Sequence, residues 1–176
     1  MARTSRTRVC WSLIGVLMWC VAASPSPRVR TTDAAIASLL SEATSRSAVF
    51  RNLVRAIEST DGIVYVERGR CGHGVHACLS LSMVAGEGYR LLRILVESVD
   101  DPVLAMATIG HELQHVIELL TEPGVRSSTA AYLYYMREAP TARDSFSAFE
   151  TPAAVRTGLA VERELKDSGG GYQQLQ

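Results

Sequence analysis

The stretch from Pro102 to Thr121 constrains the fold more than any other part of this sequence. Asp101 has the character of an N-cap and Pro102 of a first helical residue, while Pro123 follows the end, so the pattern predicts one long helix. The apolar residues of this segment include Val103, Leu104, Met106, Ile109, Leu113, Val116, Ile117 and Leu120. They lie on several sides of the helix, which places it in the core of a domain.

The same helix carries three polar side chains in the order His111, Glu112 and His115. Residues four apart share a helix face at about 6 Å, so both imidazoles can reach one zinc ion at about 2.0–2.1 Å. Glu112 lies beside them and can take a proton from a water whose pKa the zinc lowers. The alternative is a pair of core histidines satisfied by hydrogen bonds alone. Three buried polar groups without partners would cost about 1–3 kcal/mol each, and a metal removes that cost.

The segment Gly110–His115 resembles the active-site helix of the zincin metallopeptidases. This resemblance implies Zn²⁺ as cofactor and a peptide or protein as substrate. It also implies a fold in which a small twisted sheet precedes the active helix and its edge strand binds the substrate. The order of predicted strands and helix between residues 63 and 121 fits that fold.

The third zinc ligand decides the subclass of zincin. The metzincin pattern requires a glycine at position 118 and a histidine at position 121, whereas this chain has Glu118 and Thr121. No histidine follows His115, so a downstream ligand has to be a carboxylate, which is the gluzincin-like arrangement. The candidates are Glu118, Glu122, Glu138, Glu150 and Glu162.

Glu150 is the favoured third ligand, because the segment from Phe149 to Ala154 is similar to the gluzincin glutamate-helix motif. The acid that usually follows in that motif, where it orients a ligand histidine, is missing here. Glu162, on the same predicted helix, and Glu138 remain alternatives. Glu118 lies three residues after His115 on the same face, and we interpret it as a polar neighbour of the site.

Residues 1–23 have the pattern of a secretory signal peptide. Three arginines precede an apolar run from Val9 to Val21, and small residues at Val21 and Ala23 suit cleavage. An uncleaved membrane anchor is the alternative, but this run is shorter than the roughly 20 residues that a spanning helix needs. The pattern therefore predicts a secreted or periplasmic protein that has no membrane span after cleavage.

The cysteines divide between the signal and the mature chain. Cys10 and Cys20 leave with the signal, whereas Cys71 and Cys78 remain and predict one disulfide in an exported protein. The histidines between them, His73 and His76, make a second metal site the alternative.

The remaining patterns predict an α+β fold with about three strands in a small antiparallel or mixed sheet, packed on the active-site helix with flanking helices. Residues 24–31 are expected to be a linker, residues 32–167 a single zincin-like domain and residues 168–176 a flexible tail. A helix is predicted from Thr32 to Asp61, strands at 63–66, 77–85 and 89–99 with the last two as a hairpin, and further helices at 127–138 and from about 149–151 to 166.

These observations predict an exported zinc-dependent hydrolase, a peptidase in which Glu112 activates the water. The alternative is a metal-binding interaction or scaffold protein on a zincin fold with little or no peptidase activity, although a structural metal has no use for Glu112. Without residues 1–23, 15 basic residues face 18 acidic ones. A mildly acidic chain without a basic run argues against nucleic acid as a partner.

Overall fold

A computed structural model of the protein describes residues 26–72, 75–138 and 149–170. Within them the chain forms four strands and five helices, which confirms the α+β class and adds one strand to the three expected. The elements are β1 (Val29–Arg30), α1 (Ala34–Arg46), α2 (Ala48–Glu58), β2 (Gly62–Arg68), β3 (Ala77–Gly86), β4 (Tyr89–Val96), α3 (Pro102–Leu120), α4 (Ser128–Glu138) and α5 (Pro152–Gly170). The predicted signal peptide, residues 1–23, lies outside the described residues.

The sheet is mixed and has the strand order β1-β2-β4-β3. β1 and β4 both pair with β2 in parallel, and β3 pairs with β4 antiparallel, which confirms the predicted hairpin. Gly88 in the connecting turn has a φ of +78°, a conformation that favours glycine. The register of β3 shifts between Ser80 and Val84, so this edge strand carries an irregularity where it passes α3 and α4.

The single helix predicted from Thr32 to Asp61 is wrong, because Ser47 divides it into α1 and α2. Ser47 has extended backbone angles (φ −111°, ψ 123°), and its hydroxyl accepts a hydrogen bond from the Phe50 amide at 3.0 Å. It also donates to the Glu164 carboxylate on α5 at 2.6 Å. The apolar periodicity continues across the break, since both helices bury residues against the same core.

Regular structure extends into both segments that were expected to lack it. Val29–Arg30 falls within the predicted linker 24–31 and forms β1, and the Val64 amide donates to the Arg28 carbonyl at 2.8 Å beside it. At the other end α5 continues to Gly170, into the predicted tail 168–176. Arg46 of α1 donates to the Ser168 hydroxyl at 3.1 Å and to the Leu165 carbonyl, which supports the last turns of α5.

The helix α3 is the centre of the molecule and begins as predicted. The Asp101 carboxylate accepts from the Leu104 amide at 3.0 Å, and Pro102 occupies the first turn. Eleven of its residues are buried: Ala105, Met106, Ala107, Ile109, Gly110, Glu112, Leu113, His115, Val116, Leu119 and Leu120. They contact α1, α2 and α5 as well as β3 and β4, as expected of a helix apolar nearly all round.

The carboxyl end of α3 is held by Arg90 of β4, whose side chain is buried. Its guanidinium binds the Asp61 carboxylate through Nε and Nη2 at 2.7–3.1 Å. It also donates at 2.7–3.2 Å to four carbonyl groups at and beyond the helix end, those of Leu119, Leu120, Glu122 and Val125. One side chain thus satisfies carbonyls that the end of a helix leaves without partners, and it fixes α3 to the sheet.

α3 and α5 have 19 residues each. They pack against each other over most of their length. Among the helices in the described ranges, none combines the length and apolar character needed to pass through a membrane.

Candidate metal centre

His111 and His115 present their Nε2 atoms to the same point, 3.1 Å from each other. Glu150 reaches this point from the segment just before α5, with its Oε2 atom 3.3 Å from His111 Nε2. One ligand atom from each residue can be chosen so that all lie within 4.8 Å of one another. The structure thus brings together the three residues that the sequence favours as metal ligands.

Two of the three donor separations match those of a tetrahedral zinc ion, and the third would have to shorten on binding. Two donors bound at about 2.0–2.1 Å in tetrahedral geometry lie about 3.3–3.4 Å apart. The two separations that involve His111 Nε2, to His115 Nε2 and to Glu150 Oε2, are 3.1 and 3.3 Å. Two imidazoles and a carboxylate are also a donor set known from catalytic zinc sites, which leave one position for water. Without a cation this close approach would contribute little stability, because two neutral imidazoles can share only one hydrogen bond.

The alternative third ligands lie elsewhere. Glu138, at the end of α4, pairs with Arg137, and Glu162 of α5 pairs with Lys166 one turn further along. The Glu122 side chain is exposed beyond the end of α3. Of the five candidate acids, Glu150 is therefore the one that the structure places beside both histidines.

Glu118 lies against His115 and does not join the group of possible ligands. Its Oε2 atom is 3.0 Å from His115 Nδ1, and its Oε1 atom accepts from the Thr151 hydroxyl at 2.6 Å. Burial raises the pKa of Glu118, but the hydrogen bonds from His115 and Thr151 outweigh it, so the pKa lies below its usual value. The interpretation of Glu118 as a polar neighbour of the site agrees with these contacts.

Glu112 is buried between α3 and the edge strand β3. Its Oε2 atom accepts from the Leu79 amide at 2.7 Å, and its Oε1 atom is 3.9 Å from His111 Nε2. Burial raises the pKa of Glu112 to about 7, although the charge of His115 and the Leu79 amide act in the opposite direction. The side chain is thus held by a strand, faces the two histidines and has a pKa suited to proton transfer near neutral pH.

His111 lies in the interface between α3 and α5. Burial, followed by the charge of His115, lowers its pKa to about 4, so this imidazole is neutral and able to bind a metal. Gly158 of α5 faces it, and a Cβ atom added there would lie 3.2 Å from the His111 Cβ atom. Sequence reasoning missed Gly158, although an isolated glycine inside a helical pattern is a signal for close packing.

Tyr135 of α4 contacts both the backbone of α3 and the segment that leads into α5. Its hydroxyl donates to the His115 carbonyl at 2.8 Å, and its ring stacks on Phe149 with centroids 5.4 Å apart. Burial raises the pKa of Tyr135 above its usual value. Because the hydroxyl is engaged by the backbone of α3, Tyr135 positions the helix and is not free to stabilise a developing negative charge.

A cleft of about 220 Å³ opens onto the candidate metal centre. It is lined by Val75, Ala77, Cys78, Leu79, Leu81, Glu112, His115, Tyr135, Phe149 and Glu150. The first five residues belong to β3 and the segment that leads into it. The cleft thus has an apolar wall along the edge strand and the polar site at its floor.

Cys71 and Cys78 form the predicted disulfide, with Cα atoms 5.7 Å apart. It ties the segment before β3 to the first residues of that strand. Of the two histidines considered for a second metal site, His76 is exposed and His73 lies outside the described residues.

Comparison with known protein families, with curated proteins and with solved structures finds no match to this chain.

Proposed function

We propose that this chain is a zinc-dependent hydrolase that cleaves peptide bonds and resembles the gluzincins. The observation that supports this most strongly is the convergence of His111, His115 and Glu150 at ligand spacing. A second, separate carboxylate, Glu112, faces the same cleft. A structural metal needs only the three ligands, His111, His115 and Glu150, whereas hydrolysis also needs a base such as Glu112.

Three of these residues would bind the metal ion, and the fourth would transfer protons. His111, His115 and Glu150 would hold the ion. When bound, zinc would polarise a carbonyl group and lower the pKa of a water molecule. Glu112 accepts the proton of the attacking water and then delivers it to the leaving amine. Its raised pKa, about 7, allows both directions of transfer near neutral pH.

The position of β3 supports a peptide as substrate. Within the described sheet β3 is an edge strand, paired with β4 on one side, and it borders the cleft. An extended peptide can add to such an edge through main-chain hydrogen bonds, while pockets select its alternate side chains. The peptide would pair away from the amides of Leu79 and Met83, because these already donate to Glu112 and to the Ser128 hydroxyl. Leu79 and Leu81 in the cleft wall favour apolar side chains near the cleaved bond.

Export to an oxidising compartment is part of the proposal. The arginine-rich start and the short apolar run up to Val21 support a cleaved signal with a mature chain beginning near Ser24. The Cys71–Cys78 disulfide is typical of secreted or periplasmic proteins.

The proposal is tested with the purified chain from Ser24 onward. We expect one zinc per chain by elemental analysis, and cleavage of a mixed peptide library that stops on chelation and returns with added zinc. A chain that retains no zinc even after reloading would refute the metal site. A chain that binds zinc yet cleaves no peptide would instead support the alternative, a metal-binding scaffold or interaction protein.

A further inference from the structure

We propose that Glu118 is the positioning residue of the metal centre, acting on two of its three ligands at once. This inference rests on the proposed zinc site. The Glu118 carboxylate contacts His115 directly and reaches Glu150 through Thr151. It therefore performs, from α3 itself, the orienting role for which the sequence after Glu150 offers no acid.

The first contact sets the tautomer of His115. An ionised carboxylate only accepts hydrogen bonds, so the Nδ1 atom 3.0 Å from Glu118 Oε2 has to carry the hydrogen. The neutral imidazole then has its lone pair on Nε2, the atom that faces His111 and Glu150. Such a partner fixes the ring orientation and raises the basicity of a ligand histidine.

The second contact sets the position of Glu150. Thr151 is 6% exposed, and its hydroxyl donates to Glu118 Oε1 at 2.6 Å while accepting from the Ala154 amide at 3.1 Å. It is thus the N-cap of α5, anchored to α3 by one hydrogen bond. Glu150 directly precedes it, so the anchor determines where the ligand enters the site.

The two contacts together require a carboxylate. Both partners of Glu118 are donors, one for each oxygen atom. A glutamine has one oxygen atom and one amide group, so it can accept from only one of them. If its amide faces His115, the imidazole has to accept at Nδ1 and carries its hydrogen on Nε2, where the metal has to bind. If its amide faces Thr151 instead, the tautomer is kept, but the hydroxyl accepts a second hydrogen bond beside that of the Ala154 amide and no longer donates to α3.

The test compares zinc affinities by chelator competition and coordination by the visible absorption of the Co²⁺-loaded protein. Glu118→Gln should weaken zinc binding by about 10–100-fold and change the cobalt spectrum. Thr151→Val should weaken binding less, and Thr151→Ser, which keeps the hydroxyl, should restore the affinity of the parent. Thr157→Val is the matched control, because Thr157 also donates from α5 to α3, to Gln114 at 3.4 Å, without contacting a ligand.

Far-ultraviolet circular dichroism and the melting temperature of the metal-free variants separate positioning from folding. If Glu118→Gln lowers that temperature but binds zinc and cobalt like the parent, the role of Glu118 is structural and the inference is overturned. If Glu118→Gln does not fold, the comparison of Thr151→Val with Thr157→Val decides. Equal zinc affinities of these two variants would overturn the inference. A parent that binds no zinc refutes the proposed function itself, whereas these results leave that function standing.

Discussion

At the scale of single residues, the hydrogen-bond partners of each polar side chain determine what that side chain can do in the site. His115 has one on each nitrogen atom, Glu118 at Nδ1 and the ligand cluster at Nε2. Glu112 has the Leu79 amide on one oxygen atom, and the other faces the histidines. These contacts separate residues able to hold a metal from the one able to move a proton, although all lie within one helix and the segment before α5.

Replacing Glu150 with alanine tests the third ligand. We expect zinc affinity to fall by more than the roughly 10–100-fold that is lost when a hydrogen-bond partner of a ligand is replaced, because here one of the three protein ligands is itself removed. Competition with a chromophoric chelator measures the change. Glu162→Ala, which removes a half-buried acid of α5 that pairs with Lys166, is the control and should bind zinc like the parent. The reverse order of affinities would contradict the assignment of Glu150.

The site residues could be read from the sequence only in part. The spacing of His111 and His115 on one helix predicts their convergence, because a helix face is determined by local geometry. Glu150 could be favoured by resemblance but not placed, since its position depends on how α5 packs on α3. The hydrogen bond that the Thr151 hydroxyl donates to Glu118 joins residues 33 positions apart, and no sequence pattern indicates it.

At the scale of elements, the position of α3 depends on Arg90. Its guanidinium joins the end of the helix to Asp61, which precedes β2, and its own strand is β4. A hydrogen bond from Arg90 lowers the pKa of Asp61, so this carboxylate remains ionised in the folded protein. α3 is thus fixed at its carboxyl end by a largely buried ion pair with additional backbone contacts.

Arg90→Met should lower the free energy of unfolding by about 3–5 kcal/mol, because it leaves a partly buried carboxylate and several carbonyl groups without a donor. Denaturant unfolding monitored by circular dichroism measures the change. Arg93→Met on the same strand is the control. Arg93 pairs with Glu67 at the surface, where such pairs contribute about 0–1 kcal/mol. Equal losses in the free energy of unfolding for the two substitutions would contradict this role of Arg90.

A helix end could be predicted where the capping residue acts within its own helix, and it was missed where the capping contacts come from a distant element. Asp101 and Pro102 mark the start of α3 because they act on their own next turn. Ser47 gave no such signal, since the apolar pattern runs through it and its second partner, Glu164, comes from α5. β1 has two residues and exists only through its pairing with β2, so no periodicity could have indicated it.

At the scale of the whole molecule, the cleft forms where three distant segments meet: β3, the middle of α3 and the segment before α5. The disulfide between Cys71 and Cys78 stabilises the first of them. A closed loop of this size should contribute about 2–3 kcal/mol on the chain-entropy model. We expect reduction of this bond to lower the melting temperature of the folded protein. Two reactive thiols in the unreduced, unfolded chain would contradict this bond.

Glu112 is the residue that we propose moves a proton without binding the metal. Glu112→Gln keeps the size of the side chain but cannot accept a proton near neutral pH. Zinc content and hydrolysis of every peptide cleaved by the parent are measured on the same preparation, with Glu122→Gln, an exposed change near the end of the same helix, as control. We predict that Glu112→Gln retains one zinc per chain and loses hydrolysis. Parental activity in that zinc-loaded variant would contradict the account.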